Sequence, residues 1–490
     1  MNKRTRPILE LISQDLIEQI LDEAFQLLQS PGFKVKDAAV RNMLAEAGAR
    51  VQENSEIVHL PEQLGRWALD KAPNEFWLYD REGRAAVQYG GDNVHFNPGS
   101  SGVNILDPVQ NKHRPAETLD LLNLIKVTEG LDSYDAQSTA VICHDIPEEL
   151  GDVYRLYLVL LHSNKPIVTG AFTTPGAQRM FEMLALAAGS RENMKAKPTA
   201  VFDVCPTPPL VWSEFGARNL VDLARAGLPA QIVSMPLAGA AAPVTLLGSV
   251  VQHAAECISG ITIHQLAQPG APIVWGGAPA IFDMRFGTTP MGAVETAMID
   301  AAYAQVGKAL GLPTHAYLGA SDAKIIDAQA GLESGLTALV GAQAGINMIS
   351  GPGMLDFLAC QSAEKLVIDA EAVAMSKRLV EGVTQRTDPL ATDMYDDFSF
   401  KADFLRQKIT RSLFRQEQYL TSPVIDRNSL RAWKEAGSQD IVARAQSEVQ
   451  RLLVRYEVPA APAKTAPALR KMMSVLASEV GLSQLPKLTD

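Results

Sequence analysis

The chain has 490 residues, 47% of them hydrophobic, 20% charged and only 6% aromatic, with a formal net charge of −11. Such a length and apolar content suit a folded, well-cored protein, and one large barrel with extensions accommodates them as readily as several smaller domains. The acidic balance and the lack of any basic block exclude electrostatic binding to nucleic acid or to an anionic membrane, both of which need clustered Lys and Arg against phosphate.

In chain order, residues 1–92 read as an N-terminal helical and loop extension. Within it "LELISQDLIEQILDEAFQLLQS" interleaves acids with apolar residues at helical spacing, unlike the uninterrupted apolar centre of a secretion signal. No apolar stretch of membrane-spanning length is expected, because the Gly-rich and Ala-rich runs are cut by Pro, His or Asp. Residues 93–383 then repeat one rhythm: a short apolar run introduced by Pro or Gly, a turn of small residues, and a helical stretch. Strands are expected to start near Asn93, Tyr134, Pro166, Thr199, Pro229, Pro272, Pro313 and Gly345. Helical stretches from "AETLDLLNLIKVTEGL" to "AQAGLESGLTALVGAQAG" fill the gaps, many opening at Pro or Ser and closing at Gly. Nearly all-apolar strands in this alternation indicate an α/β fold with a closed (β/α)8 TIM barrel; an open α/β sheet is the alternative built from the same units. Residues 384–490 form a C-terminal helical extension, with "ADFLRQKITRSLFRQEQYL" and "SLRAWKEAGSQDIVARAQSEVQRLLVRYE" as amphipathic helices and "VPAAPAKTAPA" as a break before a last short helix. The extensions are expected to cap the barrel or to make the contacts of a homo-oligomer.

Cys143, Cys205, Cys257 and Cys360 lie far apart without a CxxC pair, which points to free thiols and a reducing cytoplasm. The histidines form no HxH, HxC or HExxH set, so no metal is expected on the chain. "NPGSSG" and "VWGGAP" are neither a dinucleotide fingerprint nor a phosphate loop, and no GxSxG nucleophile elbow occurs.

Active residues of a barrel sit where its strands end at the C-terminal face. That rule selects Phe96, Asn97, Gln137, Phe172, Asp203, Cys205, Met235, Trp275, Tyr317, Asp322 and the loop holding Asp356. The scarce aromatics Phe96, Phe172, Trp275 and Tyr317 suit either barrel packing or a pocket for an organic cation, which aromatic faces attract electrostatically.

The segment "SDAKIIDAQAGLESGLTALVGAQAGINMISGPGML" with "QSAEKLVIDAE", together with "LEQILDEAFQLLQSPGFKV", "FNPGSSGVNILD" and "AWKEAGSQDIVARA", resembles the trimethylamine methyltransferase superfamily over nearly the whole chain. The resemblance implies the barrel and an enzyme that passes a methyl group from a methylated amine to the cobalt of a separate corrinoid (cobalamin) protein. Only standard residues are present, so the chain resembles the branch without pyrrolysine, which implies a quaternary amine such as glycine betaine as substrate. A donor of another N-methyl or S-methyl class, or a catalytically silent betaine-binding homologue, is the alternative. Within this reading Asp322 and Glu333 are the catalytic candidates and Asp327 a helix cap. Phe96, Asn97, Gln137, Phe172, Asp203, Trp275 and Tyr317 are candidate substrate contacts. Arg285 either binds the substrate's carboxylate or makes a surface ion pair.

Overall fold

The computed structural model describes residues 6–52, 54–396, 400–401 and 403–488; the beginning of the N-terminal extension and the first residue of the expected helix over 402–420 lie outside them. All eight apolar runs form short parallel strands: β1 (His95–Asn97), β2 (Gln137–Ser138), β3 (Ile167–Thr169), β4 (Ala200–Val204), β5 (Ala230–Ile232), β6 (Ile273–Gly277), β7 (Thr314–Ala316) and β8 (Met348–Ser350). They pair in sequence order from β2 to β8, and β8 then pairs with β1 through Met348 and His95. Between β1 and β2 the Asp135 amide donates to the Phe96 carbonyl at 2.8 Å, and a parallel bridge joins Gly102 to Val141. The sheet therefore curls into a nearly closed barrel, and the open-sheet alternative falls.

Around it lie α1 (Thr118–Glu129), α2 (Gly151–His162), α3 (Thr174–Ala188), α4 (Glu214–Ala226), α5 (Leu246–Ala267), α6 (Val294–Ala309), α7 (Ala328–Gln343) and α8 (Ala363–Val380). Local chemistry sets their ends. Thr173, Ser213, Thr245, Asp327 and Ser362 each accept a first-turn amide, and left-handed Gly189 and Gly227 stop α3 and α4. Helix α8, which follows the last helix expected from the repeat, completes the eighth unit.

One expectation is corrected at α5. Its 22 residues are long and apolar enough to cross a membrane, but 83% of the apolar window is buried within the protein. Helices Gln14–Gln29 and Glu62–Lys71 of the N-terminal extension cover it from outside and α4 and α6 flank it, which is why it is apolar nearly all round. A second correction concerns "VPAAPAKTAPA", which is helical: Ala460–Glu479 runs through it, with Pro462 in the first turn, where its missing donor costs little, and Pro467 inside. Burial of Pro462, Ala466, Leu469 and Met473 against α2 and α3 offsets the interrupted ladder.

The hairpin Phe76–Tyr79 and Ala85–Tyr89 inserts Leu78, Val87 and Tyr89 among Ala136, Val168, Val201, Val274 and Met348. It plugs the N-terminal end of the barrel and leaves the C-terminal end as the way in. All four cysteines are free thiols.

Candidate functional site

Strand alternation decides which side chains face the lumen. On β4 and β5, Asp203 and Gln231 are register partners and bond directly, Gln231 Nε2 donating to Asp203 Oδ1 at 2.7 Å. Tyr317, just beyond β7, donates its hydroxyl to Asp203 Oδ2 at 3.1 Å, while Tyr89 reaches up from the plugging hairpin to Gln231 Oε1 at 3.2 Å. On the adjoining wall His315 Nε2 meets Ser350 Oγ at 3.1 Å, and Ser350 donates to Asn97 Oδ1 at 2.6 Å. The His315 and Tyr317 rings lie edge to face at 5.2 Å, which joins the two chains of hydrogen bonds into one polar lining. Higher on the same wall, Tyr317 packs with Val233, Ala280, Met291 and Leu358, so the mouth is apolar above a polar floor.

Burial pushes the Asp203 carboxyl up to about 7, against the pull of its bonds from Gln231 and Tyr317 and of the Arg155 charge. Burial likewise lowers His315 to about 3, so this imidazole is neutral. Among the described residues Asp203 forms no ion pair. The lumen thus ends in a carboxyl that titrates near neutrality and has no bonded cation.

The remaining sequence-derived candidates fall into three groups. Phe96, Gln137 and Trp275 point outward and are corrected as lumen residues: all three are at most 1% exposed. Phe96 lies beneath Lys377 of α8, Gln137 donates to the Ile125 carbonyl of α1, and Trp275 donates to the Tyr303 carbonyl of α6. They stand one position out of phase with the lining. Arg285, after β6, has its guanidinium bound by Asp283 at 2.6 Å with a side chain 80% exposed, which is the surface ion pair of its two readings. Phe172, Cys205 and Met235 follow β3, β4 and β5 and are exposed at the mouth.

Asp322 and Glu333 work on the backbone of the β7–α7 loop. The Asp322 carboxylate accepts the Met291 and Gly292 amides at 2.8 and 2.9 Å, fastening this loop to the one before α6; burial raises its pKa to about 6. Glu333 Oε2 accepts the Ser321 hydroxyl and the Asp322 amide at 2.6 and 2.8 Å. Asp327 caps α7, accepting from Gln329 and Ala330. The cluster of carboxylates is therefore a set of ties that holds the loop leading away from Tyr317. Beside this loop, and tied to it by the Asp356 amide donating to the Ala323 carbonyl at 3.0 Å, Asp356, Phe357 and Leu358 occupy consecutive left-handed conformations (φ 50°, 55° and 69°), a strained turn without glycine that lays Leu358 against the Tyr317 group.

The strand-end rule misses Tyr89, Gln231, His315, Ser350 and Arg155. A signal for three of them is present in "PAQIVSMP", "PTHAYLGAS" and "GINMISGPG", where polar residues, Gln231, His315 and Ser350 among them, interrupt otherwise apolar runs. Arg155 is the lone base in "VYRLYLVLL" of α2. No group of three or more His, Cys, Asp and Glu able to hold a metal occurs among the described residues. Surface clefts between α3 and α4 and beside Trp67 contain none of the lining residues.

A parallel barrel plugged below, with a polar floor and apolar rim at its C-terminal mouth, is the framework of a TIM-barrel enzyme. The trimethylamine methyltransferase (MTTB) family model matches residues 1–481, and the chain belongs to that family of methyltransferases. It is 29% identical over 472 residues to the trimethylamine methyltransferase MttB of Desulfitobacterium hafniense, covering 96% of this chain and 95% of the relative. It is 32% identical over 460 residues to MttB2 of Methanosarcina mazei, covering 92% of each. With the glycine betaine methyltransferase of Desulfitobacterium hafniense it shares 28% identity over 477 residues, 97% of this chain and 98% of that one. The fold is similar to that of the Methanosarcina barkeri monomethylamine methyltransferase (MtmB), with a TM-score of 0.54, 12% identity and coverage of 96% and 89%.

Proposed function

We propose that the enzyme moves a methyl group from a quaternary amine of the glycine betaine kind to Co(I) of a separate corrinoid protein. The observation that carries this reading is Asp203, a lumen carboxyl free of any bonded cation, beside the ring of Tyr317. A permanent cation entering the mouth stabilises the carboxylate form of Asp203, and the Tyr317 face adds cation–π attraction. In the transfer the carbon–nitrogen bond breaks with its electron pair going to nitrogen, while the methyl carbon bonds to the acceptor's cobalt through the cobalt's electron pair. The leaving amine departs neutral, so no side chain has to supply a proton. The residues orient the N-methyl outward, exclude water and avoid holding the cation more tightly than the less charged transition state. Exposed Met235, Met284 and Phe286, in loops after β5 and β6, offer the partner an apolar landing beside the mouth.

The test is to supply free cob(I)alamin with glycine betaine, choline, tetramethylammonium, trimethylamine and a methyl sulfonium, and to follow methylcobalamin and the demethylated product. Methylcobalamin from the quaternary amines supports the reading. Product from the sulfonium or trimethylamine alone moves the substrate class, and betaine binding without any transfer makes the chain a binding homologue.

A further inference from the structure

Arg155 is wholly buried near the mouth, yet only one edge of its guanidinium is used. Its Nη1 donates to Ser101 Oγ at 2.9 Å and to the Thr139 carbonyl at 3.0 Å, while Nε and Nη2 have no partner. Those two nitrogens form the side of the guanidinium that meets a carboxylate with two parallel hydrogen bonds. Leaving them empty in a buried site is costly unless something else pairs with them. The group lies close enough to Asp203 and Tyr317 for its charge to act on both, and burial lowers its own pKa to about 10. Asp152, one turn back on α2, is the carboxylate whose charge acts most strongly on the guanidinium, and Asp203 acts on it as a second, weaker charge; neither is hydrogen-bonded to Nε or Nη2. Phe172 covers the guanidinium face at 4.5 Å, is itself 43% exposed, and its backbone N–H donates a hydrogen bond to Asp152 Oδ2 at 2.9 Å.

We propose that Arg155 determines specificity for zwitterionic amines: rotation of the Phe172 ring uncovers Nε and Nη2, which bind the substrate's carboxylate while Asp203 and Tyr317 hold its quaternary nitrogen. This deepens the quaternary-amine reading and rests on it for the identity of the cationic end. A ligand whose charges are separated by a short spacer matches the spatial order Arg155, carboxylate, ammonium, Asp203. Choline and tetramethylammonium offer the cation alone. Arg285, already paired with Asp283 in solvent, is displaced from this role.

Calorimetric binding of glycine betaine and of tetramethylammonium, compared in the wild type, Arg155→Lys, Arg155→Gln and Phe172→Ala proteins, decides the matter without requiring turnover. The expected result is a wild-type preference for betaine that falls at least about tenfold in Arg155→Gln and partly in Arg155→Lys, because the ammonium keeps the charge but loses the paired geometry. Phe172→Ala, which leaves the Arg155 bonds in place and serves if the Arg155 variants do not fold, is expected to widen the preference about threefold or more by removing the cover. Equal losses for both ligands in Arg155→Gln, or a preference unmoved or narrowed in Phe172→Ala, overturn the proposal and leave Arg155 as a tie between loops. Arg155-dependent betaine binding without methyl transfer refutes the proposed reaction while sustaining this site.

Discussion

Asp203 is the lumen group whose titration near neutrality bears on cation binding. Its folded carboxyl, near 7, holds a proton more tightly than an unfolded aspartate near about 3.9, so its contribution to stability is full below about pH 4 and is lost as pH rises through about 7. Binding of a permanent cation runs the other way, because only the carboxylate attracts it. Gln231 and Tyr317 bond this carboxyl, Arg155 acts on it as a charge, and Cys205 and Tyr89 lie close enough to feel it. Affinity for tetramethylammonium is expected to rise between about pH 6 and about pH 8, and Asp203→Asn to flatten the profile and weaken binding by roughly tenfold at the upper end. Calorimetry across that interval checks it; a profile that stays steep in the variant assigns the titration to another group. Trp275 carries the opposite expectation: fully buried against α6, its replacement by Ala costs stability, about 3 to 5 kcal/mol in urea unfolding, rather than acting through a pocket wall.

At the level of elements, the β7–α7 loop is held by carboxylates acting on amides. Asp322→Ala leaves the Met291 and Gly292 amides without acceptors, which is expected to cost about 1 to 3 kcal/mol and to lower kcat more than it raises KM for the amine, since the loop leading from Tyr317 loses its tie. Glu333→Gln keeps an acceptor for Ser321 and Asp322, so most of the rate is expected to survive. Denaturation curves together with a kcat and KM separation for the two variants check this assignment. Complete loss of chemistry in Glu333→Gln with an intact fold would instead make its charge part of the reaction. The capping role of Asp327 was legible in the sequence because a cap acts on amides two and three positions along the chain, whereas the partners of Asp322 lie thirty and more positions away.

Across the whole molecule, the extensions act as a belt and a plug. Leu469 is fully buried where Ala460–Glu479 packs on α2 and α3, so Leu469→Ala is expected to cost about 2 to 5 kcal/mol and to shift a single unfolding transition, because belt and barrel share one core. Two separated transitions in urea would show instead that residues 384–490 unfold on their own.

By itself the amino-acid sequence determined the eight-fold repeat, since most of the buried strands are short apolar runs introduced by Pro or Gly and α3, α4, α5, α7 and α8 are capped by side chains next to them in the chain. It also placed Asn97, Asp203 and Tyr317 at strand ends, where the lumen lining contains them. Tertiary structure alone decided which face of each strand looks inward. A parallel barrel buries both faces, so hydrophobicity does not alternate, and Phe96, Gln137 and Trp275 are indistinguishable in pattern from lumen residues although they turn to the helices. Tertiary structure also decided the place of Arg155, because a guanidinium carried by α2 reaches Ser101 and Thr139 only once that helix meets the segments following β1 and β2.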